Sequence, residues 1–330
     1  MNRVLSTVAI LFAAMLTAAP EGRQVLKVDP AIPGYQKASG ISGNLSSIGS
    51  DSMNNLMTLW AETFRKYYPN VKVQVEGKGS STAPPALIAG TAQFGPMSRT
   101  MRSTEIDQFE QRYGHRPTEV RTSYDALAVY VHKDNPIKQL SLAQVEAIFG
   151  KSRKRGYKEN ITTWGQLGLT GDWAKRPIGL YGRNSASGTY GFFREHVMRN
   201  GDYKDTVKEQ PGSASVVQGI TEDPYAIGYS GAGYRTSGVK AVPLSEQPNG
   251  PYFEGTYDEV ISGKYPLSRF LYMYVNKAPG KPLDPLPLEF LKLVLSKEGQ
   301  EVVIKDGYMP LTAVLVKEEL AKIAGASGTM

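Results

Sequence analysis

The sequence predicts an α/β fold, and three observations carry that expectation. Strand-like and helix-like segments alternate from Leu45 onward. The helix-like segments keep their apolar residues on one face, at the period of a buried amphipathic helix. Polar, Ser-rich turns stand repeatedly where a strand gives way to a helix, which is where open α/β sheets bind ligands.

The elements justify themselves in order. After Gly49-Ser50-Asp51-Ser52, the residues Met53, Leu56, Met57, Trp60, Phe64 and Tyr67 share one helical face, with Trp60 expected in the core. Tyr68-Pro69-Asn70 ends that helix, because the residue before a proline is pushed out of the helical region. Val71-Lys72-Val73-Gln74-Val75 alternates as a strand and leads into Gly79-Ser80-Ser81-Thr82. A short helix starts at Pro84, whose fixed φ suits a first turn. Next come a strand over Ala92–Met97, a polar helix over Ser103–Tyr113, a strand over Ala126–Val131 and a helix over Ser141–Phe149 capped by Ser141. A loop rich in Gly, Lys and Arg carries Trp164 and Trp173. Beyond it lie a strand over Ile178–Tyr181, a helix over Tyr190–Asn200, a helix from Gly212-Ser213-Ala214-Ser215 to Ile220, and strands at Ala226–Tyr229 and Phe270–Val275. Helices over Leu286–Leu295 and Glu298–Asp306 precede a segment expected to be a loose tail.

The chain of 330 residues is long enough for two domains. Arg3, the apolar run Val4–Leu16 and the small residues Thr17-Ala18-Ala19 have the pattern of a signal peptide over 1–19, followed by a flexible lead over 20–39. The run is short for a membrane span, which takes about 20 apolar residues, so membrane insertion is not expected. Cysteine is absent, which removes disulfides, thiolate chemistry and the residue a bacterial lipid anchor needs. The formal charge of +7 suits attraction of small anions. Lys151-Ser152-Arg153-Lys154-Arg155 is the one dense basic run and has a single aromatic neighbour, Tyr157, so nucleic acid is not the expected partner.

Four polar helix starts suggest what the anion meets: Ser50-Asp51-Ser52, Ser80-Ser81-Thr82, Ser187-Gly188-Thr189 and Ser213-Ala214-Ser215. The first N–H groups of a helix lack intrahelical partners and carry the positive end of its dipole. Hydroxyls add donors, and Gly188 lets the backbone approach closely. Arg183 can grip an oxyanion with two parallel bonds, with Arg99 as a further cation near the second turn. Each turn alone has an ordinary reading as a helix cap. Together they describe a cage for one small oxyanion.

The motifs Gly49-Ser50-Asp51-Ser52-Met53, Gly79-Ser80-Ser81, Phe94-Gly95-Pro96-Met97-Ser98-Arg99, Tyr124-Asp125-Ala126-Leu127-Ala128-Val129, Arg183-x-x-x-Ser187-Gly188-Thr189 and Ala226-Ile227-Gly228-Tyr229 occur in this order from about Gly43 to Leu311. With them the chain resembles the periplasmic phosphate-binding proteins of bacterial ABC importers, in the type II periplasmic-binding superfamily. The resemblance implies a two-lobed Venus-flytrap with a mixed sheet and flanking helices in each lobe. Lobe I would span 40–130 plus 268–330 and lobe II 131–267, with hinge strands near Ala126–Val131 and Phe270–Val275. It also implies that Ser52, the Met53 N–H, Ser80, Arg183, Ser187, Gly188 and Thr189 bind phosphate, with Ser81, Ser98 and Arg99 beside them and Ser215 a further candidate. In well-known members an aspartate stands at the place of Ser98 and accepts the proton of the ligand. Here Asp125 or Asp51 is expected to take that part.

The implied role is a monomeric periplasmic protein, without cofactor or metal, that captures inorganic phosphate and delivers it to the membrane permease of an ABC importer. Other readings are a binder of sulfate, molybdate or tungstate, a phosphate-sensing or surface protein, and a secreted phosphatase. The last needs a nucleophile with a base, or metals. His115, His132 and His196 lie far apart in sequence without metal-ligand spacing.

Overall fold

The computed structural model describes residues 26–324; the expected signal peptide lies outside them. In chain order the strands are β1 (Asn44–Ile48), β2 (Lys72–Glu76), β3 (Gly95–Met97), β4 (Thr118–Ala126), β5 (Ala128–His132), β6 (Leu140–Ser141), β7 (Gly179–Arg183), β8 (Val207–Gln210), β9 (Ala226–Ser230), β10 (Val239–Ala241), β11 (Leu244–Ser245) and β12 (Ser268–Val275). The α-helices are α1 (Asn54–Tyr67), α2 (Ala83–Ala89), α3 (Ser103–Tyr113), α4 (Leu142–Phe149), α5 (Gly188–His196), α6 (Ser213–Glu222), α7 (Tyr257–Ile261), α8 (Pro285–Val294), α9 (Lys297–Lys305) and α10 (Ala313–Ile323). Among the described residues no helix is long and apolar enough to cross a membrane.

Among the described residues four sheets, one of them the short parallel pair of β6 with β11, organise two lobes. In lobe I the central strand β12 runs antiparallel to both β3 and β4, and β1 pairs in parallel with β2. The bridge between Ser47 and Phe94 joins these two pieces. Lobe II holds the strand order β10-β5-β9-β7-β8, antiparallel on the β10 side and parallel on the β8 side. The chain leaves lobe I after β4 and returns by way of α7, which packs on β4 and β12. The two crossings lie side by side, with the Leu127 N–H donating to the Leu267 carbonyl at 3.1 Å. The two strands expected to form the hinge therefore each belong to one sheet: β5 is inside lobe II and β12 inside lobe I. The crossover is the short backbone between β4 and β5 and its neighbour ahead of β12.

One continuous apolar cluster runs through both lobes. In lobe I, Trp60, Phe64, Phe94 and Phe290 are fully buried, and the Phe290 ring lies 5.2 Å from Phe64 and 5.0 Å from Phe94. In lobe II, Phe193 stacks on Tyr229 at 3.9 Å, with Phe149 edge-on to both. Burying such rings contributes about 1.5–3 kcal/mol each.

Two segments differ from expectation. The described part of the lead is fastened down: Ile32 and Tyr35 are buried, and the Tyr35 hydroxyl donates to Glu289 at 2.8 Å. A few anchoring contacts suffice to order a segment that has no period of its own. The expected loose tail contains α10, whose Val316, Glu319 and Ile323 face inward; the Thr312 hydroxyl caps it and Glu319 pairs with Arg121. Thr312 as a cap, with apolar residues at helical spacing after it, was the signal for that helix.

Candidate functional site

The polar helix starts do meet, between the lobes. The Ser52 hydroxyl, in the 3-10 turn before α1, lies 2.9 Å from the Thr189 hydroxyl at the start of α5. The Ser80 hydroxyl lies 3.3 Å from that of Ser98 and accepts from the Ser98 N–H at 3.0 Å, while the Ser50 hydroxyl donates to Ser98 at 3.1 Å. Ser50, Ser52, Ser80, Ser98, Ser187 and Thr189 are all buried. Lobe I thus contributes three hydroxyl-bearing turns, and α5 of lobe II closes the group from the other side.

Ser187 is a genuine N-cap: its Oγ accepts from the N–H groups of Thr189 at 3.1 Å and Tyr190 at 3.3 Å. The capping and anion readings are compatible, because that oxygen accepts while its proton stays free to donate. Gly188 is required by the fit between lobes, since a Cβ there would stand 2.3 Å from Ser80 Oγ and 2.6 Å from Ser98 Oγ. Gly79 sits at φ +118° with the Ala186 carbonyl across the cleft, and a Cβ would come within 2.5 Å of that oxygen. Next to it, the Ser81 N–H donates to Ala186 O at 3.1 Å.

Arg183 ends β7 and is 1% exposed. Its Nη1 donates to Ser213 Oγ at 2.6 Å, and its Nη2 donates to Pro211 O at 3.1 Å and lies 3.2 Å from Asp51 Oδ2. The Nε has no partner among the described residues. Burial presses the guanidinium's pKa below its usual value, Asp51 offsets part of that, and the group stays charged throughout the physiological range. The Tyr229 hydroxyl accepts from the Arg183 N–H at 3.2 Å and donates to Tyr203, so the aromatic stack of lobe II holds the arginine's backbone. Asp51 reaches across the cleft, accepting from the Ser213 N–H at 2.8 Å, while the Tyr234 hydroxyl donates to the Asp51 carbonyl at 2.8 Å.

A protein-family model described as a PBP superfamily domain matches residues 35–298. The phosphate-binding protein PstS of Pseudomonas aeruginosa is 57% identical over 299 residues, covering 91% of this chain and 93% of that protein. The chain belongs to the PstS family. Another PstS protein, from Staphylococcus haemolyticus, is 28% identical, covering 85% of each chain. The structure resembles that of a Clostridium perfringens protein described as a phosphate ABC transporter substrate-binding protein with bound phosphate: the TM-score is 0.68 and the identity 27%, covering 82% of this chain and 100% of that one. An ABC-type phosphate transport receptor from Vibrio cholerae shares the fold at a TM-score of 0.61 with 23% identity, covering 81% of this chain and 100% of that one.

In this PstS-family chain several expected site residues have protein partners of their own. Arg99 is held by Glu105 with two 2.7 Å bonds and its Nη1 donates to Thr100 O at 2.8 Å, while its buried Nε has no partner among the described residues. Glu105 is also the capping carboxylate of α3, which fixes it there. The Ser81 hydroxyl is only a distant acceptor for Arg99, at 3.4 Å. The Met53 N–H is directed at the Ser50 carbonyl, 3.2 Å away, within its 3-10 turn. Ser213 rather than Ser215 is the partner of Arg183 on α6. Asp125, expected as an acceptor for the ligand's proton, has both oxygens engaged: Oδ2 by Arg269 Nε and Nη2 at 2.8 and 2.7 Å, and Oδ1 by the Ala232 N–H at 2.9 Å.

Arg269 is the functional candidate that sequence reasoning missed. It is buried, donates from Nη1 to Ser98 O at 2.9 Å, and donates from Nη2 to Thr189 Oγ1 at 3.1 Å. Its signal was a lone arginine heading an otherwise apolar strand, Arg269 to Val275.

Proposed function

We propose that this chain is the substrate-binding protein of a bacterial phosphate ABC importer. It takes inorganic phosphate into the cleft between its lobes and presents the closed form to a membrane permease. The relatives at 57% identity are named for phosphate binding, and the observation that carries the reading on this chain is the convergence of hydroxyls and helix starts from both lobes on one buried place beside Arg183. Donors fixed in this way replace the hydration shell of a tetrahedral anion without reorganising, and closure excludes water from the bonds. Ser52, Ser80, Ser98, Ser187, Gly188 and Thr189 supply hydroxyl and N–H donors. Arg183, whose Nε has no partner among the described residues, supplies the charge.

Phosphate near neutral pH carries a proton, so the site must offer an acceptor. Asp125 has both oxygens engaged by Arg269 and Ala232, whereas Asp51 has only Oδ2 engaged, by Ser213 and Arg183, which leaves Asp51 as the carboxylate for that proton. Sulfate, having no proton to donate, would leave the same carboxylate facing an anion's lone pairs, which disfavours it.

Binding rather than hydrolysis is the role the geometry supports. Ser187 Oγ is committed to capping α5, and no histidine is its hydrogen-bond partner among the described residues. His196 is at the far end of the same helix, stacked on Phe192. A periplasmic monomer delivering phosphate completes the reading, since closure needs only one chain's two lobes.

The test is thermal unfolding of the mature protein, freed of anion by partial unfolding and dialysis, with phosphate and then sulfate titrated in. A ligand that binds only the folded state stabilises it by RT ln(1 + [L]/Kd). A rise with phosphate and little or none with sulfate supports the reading; equal rises refute the selectivity, and no rise with phosphate refutes the function.

A further inference from the structure

Asp125 and Arg269 form a buried ion pair that the anion cage does not itself require. They are direct cross-strand partners on β4 and β12, at the rung next to the crossing between lobes. Both charges are almost wholly buried, and the guanidinium is saturated on its lobe I side by Asp125 and the Ser98 carbonyl. The pair then reaches into lobe II at three points. Arg269 Nη2 donates to Thr189 Oγ1 at 3.1 Å, the guanidinium lies over the Phe192 ring at 5.3 Å, and Asp125 Oδ1 accepts from the Ala232 N–H at 2.9 Å.

We propose, resting on the phosphate-binding reading, that the Asp125–Arg269 pair is a closure latch. It binds the first turn of α5 and the turn after β9 only when the lobes are shut, and it orients Thr189 toward the anion without touching the anion itself. Three physical points support this. The contacts to Thr189, Phe192 and Ala232 all span the cleft beside the hinge, so opening breaks all of them together. The two charges cancel, so the pair adds directed hydrogen bonds and not net attraction. Finally, a hydroxyl has one proton and two lone pairs. Arg269 occupies one lone pair on Thr189 Oγ1, which turns the proton of that hydroxyl away from the arginine; Ser52 Oγ lies 2.9 Å away on the cage side, where either hydroxyl can be the donor. The latch therefore leaves the Thr189 proton to the cage side, and a polarised hydroxyl donates more strongly. Both residues are positioning groups.

The pair can be removed without stranding a buried charge. The double variant Asp125→Leu with Arg269→Met keeps approximate volume and leaves no unpaired ion, a replacement that is often neutral for stability. Arg269→Lys keeps the charge balance but has no planar fork to hold Asp125, the Ser98 carbonyl and Thr189 at once. The measurements are phosphate affinity by calorimetry, release rate by stopped flow, and lobe closure by solution X-ray scattering with and without phosphate.

The double variant is expected to fold with a ligand-free unfolding temperature close to the parent's. Its Kd should rise about 10- to 100-fold, mostly through faster release, because bonds made on closure govern dissociation. It should stay in the open scattering form at phosphate concentrations that close the parent. Arg269→Lys should fall between the two. An unchanged release rate and unchanged closure in the double variant, with normal folding, would overturn the latch and leave the pair as hinge filling. If the double variant does not fold, a parent-like release rate in Arg269→Lys overturns the latch by itself. A parent that ignores phosphate would refute the functional reading instead, and the same comparison run with whichever of sulfate, molybdate or tungstate closes the parent then decides the latch.

Discussion

Replacing Arg183 by Met tests the anion site most directly. The methionine keeps an apolar stem in the buried channel and deletes the fork. In the structure that fork spends Nη1 on Ser213 and Nη2 on Pro211 and Asp51, leaving Nε and the remaining N–H directions for an anion. Two charge-assisted bonds to phosphate, at about 1.5–3 kcal/mol each, make the expected loss about 3–6 kcal/mol. A central value of about 4 kcal/mol is a factor of about 1,000 in Kd. Stability is affected less. Asp51 is 21% exposed and regains water, while the Ser213 hydroxyl and Pro211 carbonyl lose a donor, a cost of about 1–3 kcal/mol. Thermal unfolding separates the two effects. With phosphate at about 1,000 times the parent's Kd, the parent gains about 4.1 kcal/mol and the variant only about 0.4 kcal/mol. Calorimetric titration gives the same ratio independently. A variant whose Kd stays within about threefold of the parent's would refute the assignment of Arg183 as the clamp, since so small a change is worth less than one hydrogen bond.

Gly188→Ala should fold normally but bind phosphate at least about 100-fold more weakly, because its Cβ would meet Ser80 and Ser98 Oγ at 2.3 and 2.6 Å only when the lobes close. Parent-like affinity by calorimetry would show that the lobes need not meet at this point. Asp51→Asn should shrink the preference for phosphate over sulfate by about 10-fold or more, the amide presenting a donor where the carboxylate accepted. An unchanged ratio in competition titrations would exclude Asp51 as the proton's acceptor. Burial lifts the Asp306 carboxyl to about 6. The folded chain there holds a proton that the unfolded chain has already released, so stability falls as pH rises from about 4 to about 6. Asp306→Asn should remove that fall and add about 1–2 kcal/mol at pH 7; parallel pH profiles of unfolding for parent and variant would contradict the burial argument.

The alternation of strands and helices, the core place of Trp60 and the helix starts at Ser52, Ser80, Ser187 and Ser213 were legible along the chain, because each depends on spacing, capping and turn chemistry within a few residues. Arg183 and the Ser187–Thr189 turn were legible for the same reason: guanidinium and helix start lie on one strand-to-helix connection. The partners of the charges were not legible. Arg99 and Asp125 both looked like ligands for an anion, yet Glu105 holds the first and Arg269, 144 residues further along, holds the second. A charged residue shows its sign in the sequence, but its partner is chosen by which strands lie side by side. What spacing and turn chemistry carried was the class of fold, the place of the polar turns and the Ser187 cap of α5. Which of those residues face the cleft, the bridge that Asp51 makes to Ser213 and the contact of Arg269 with Thr189 depend on packing two sheets across a hinge, and no local signal carries that information.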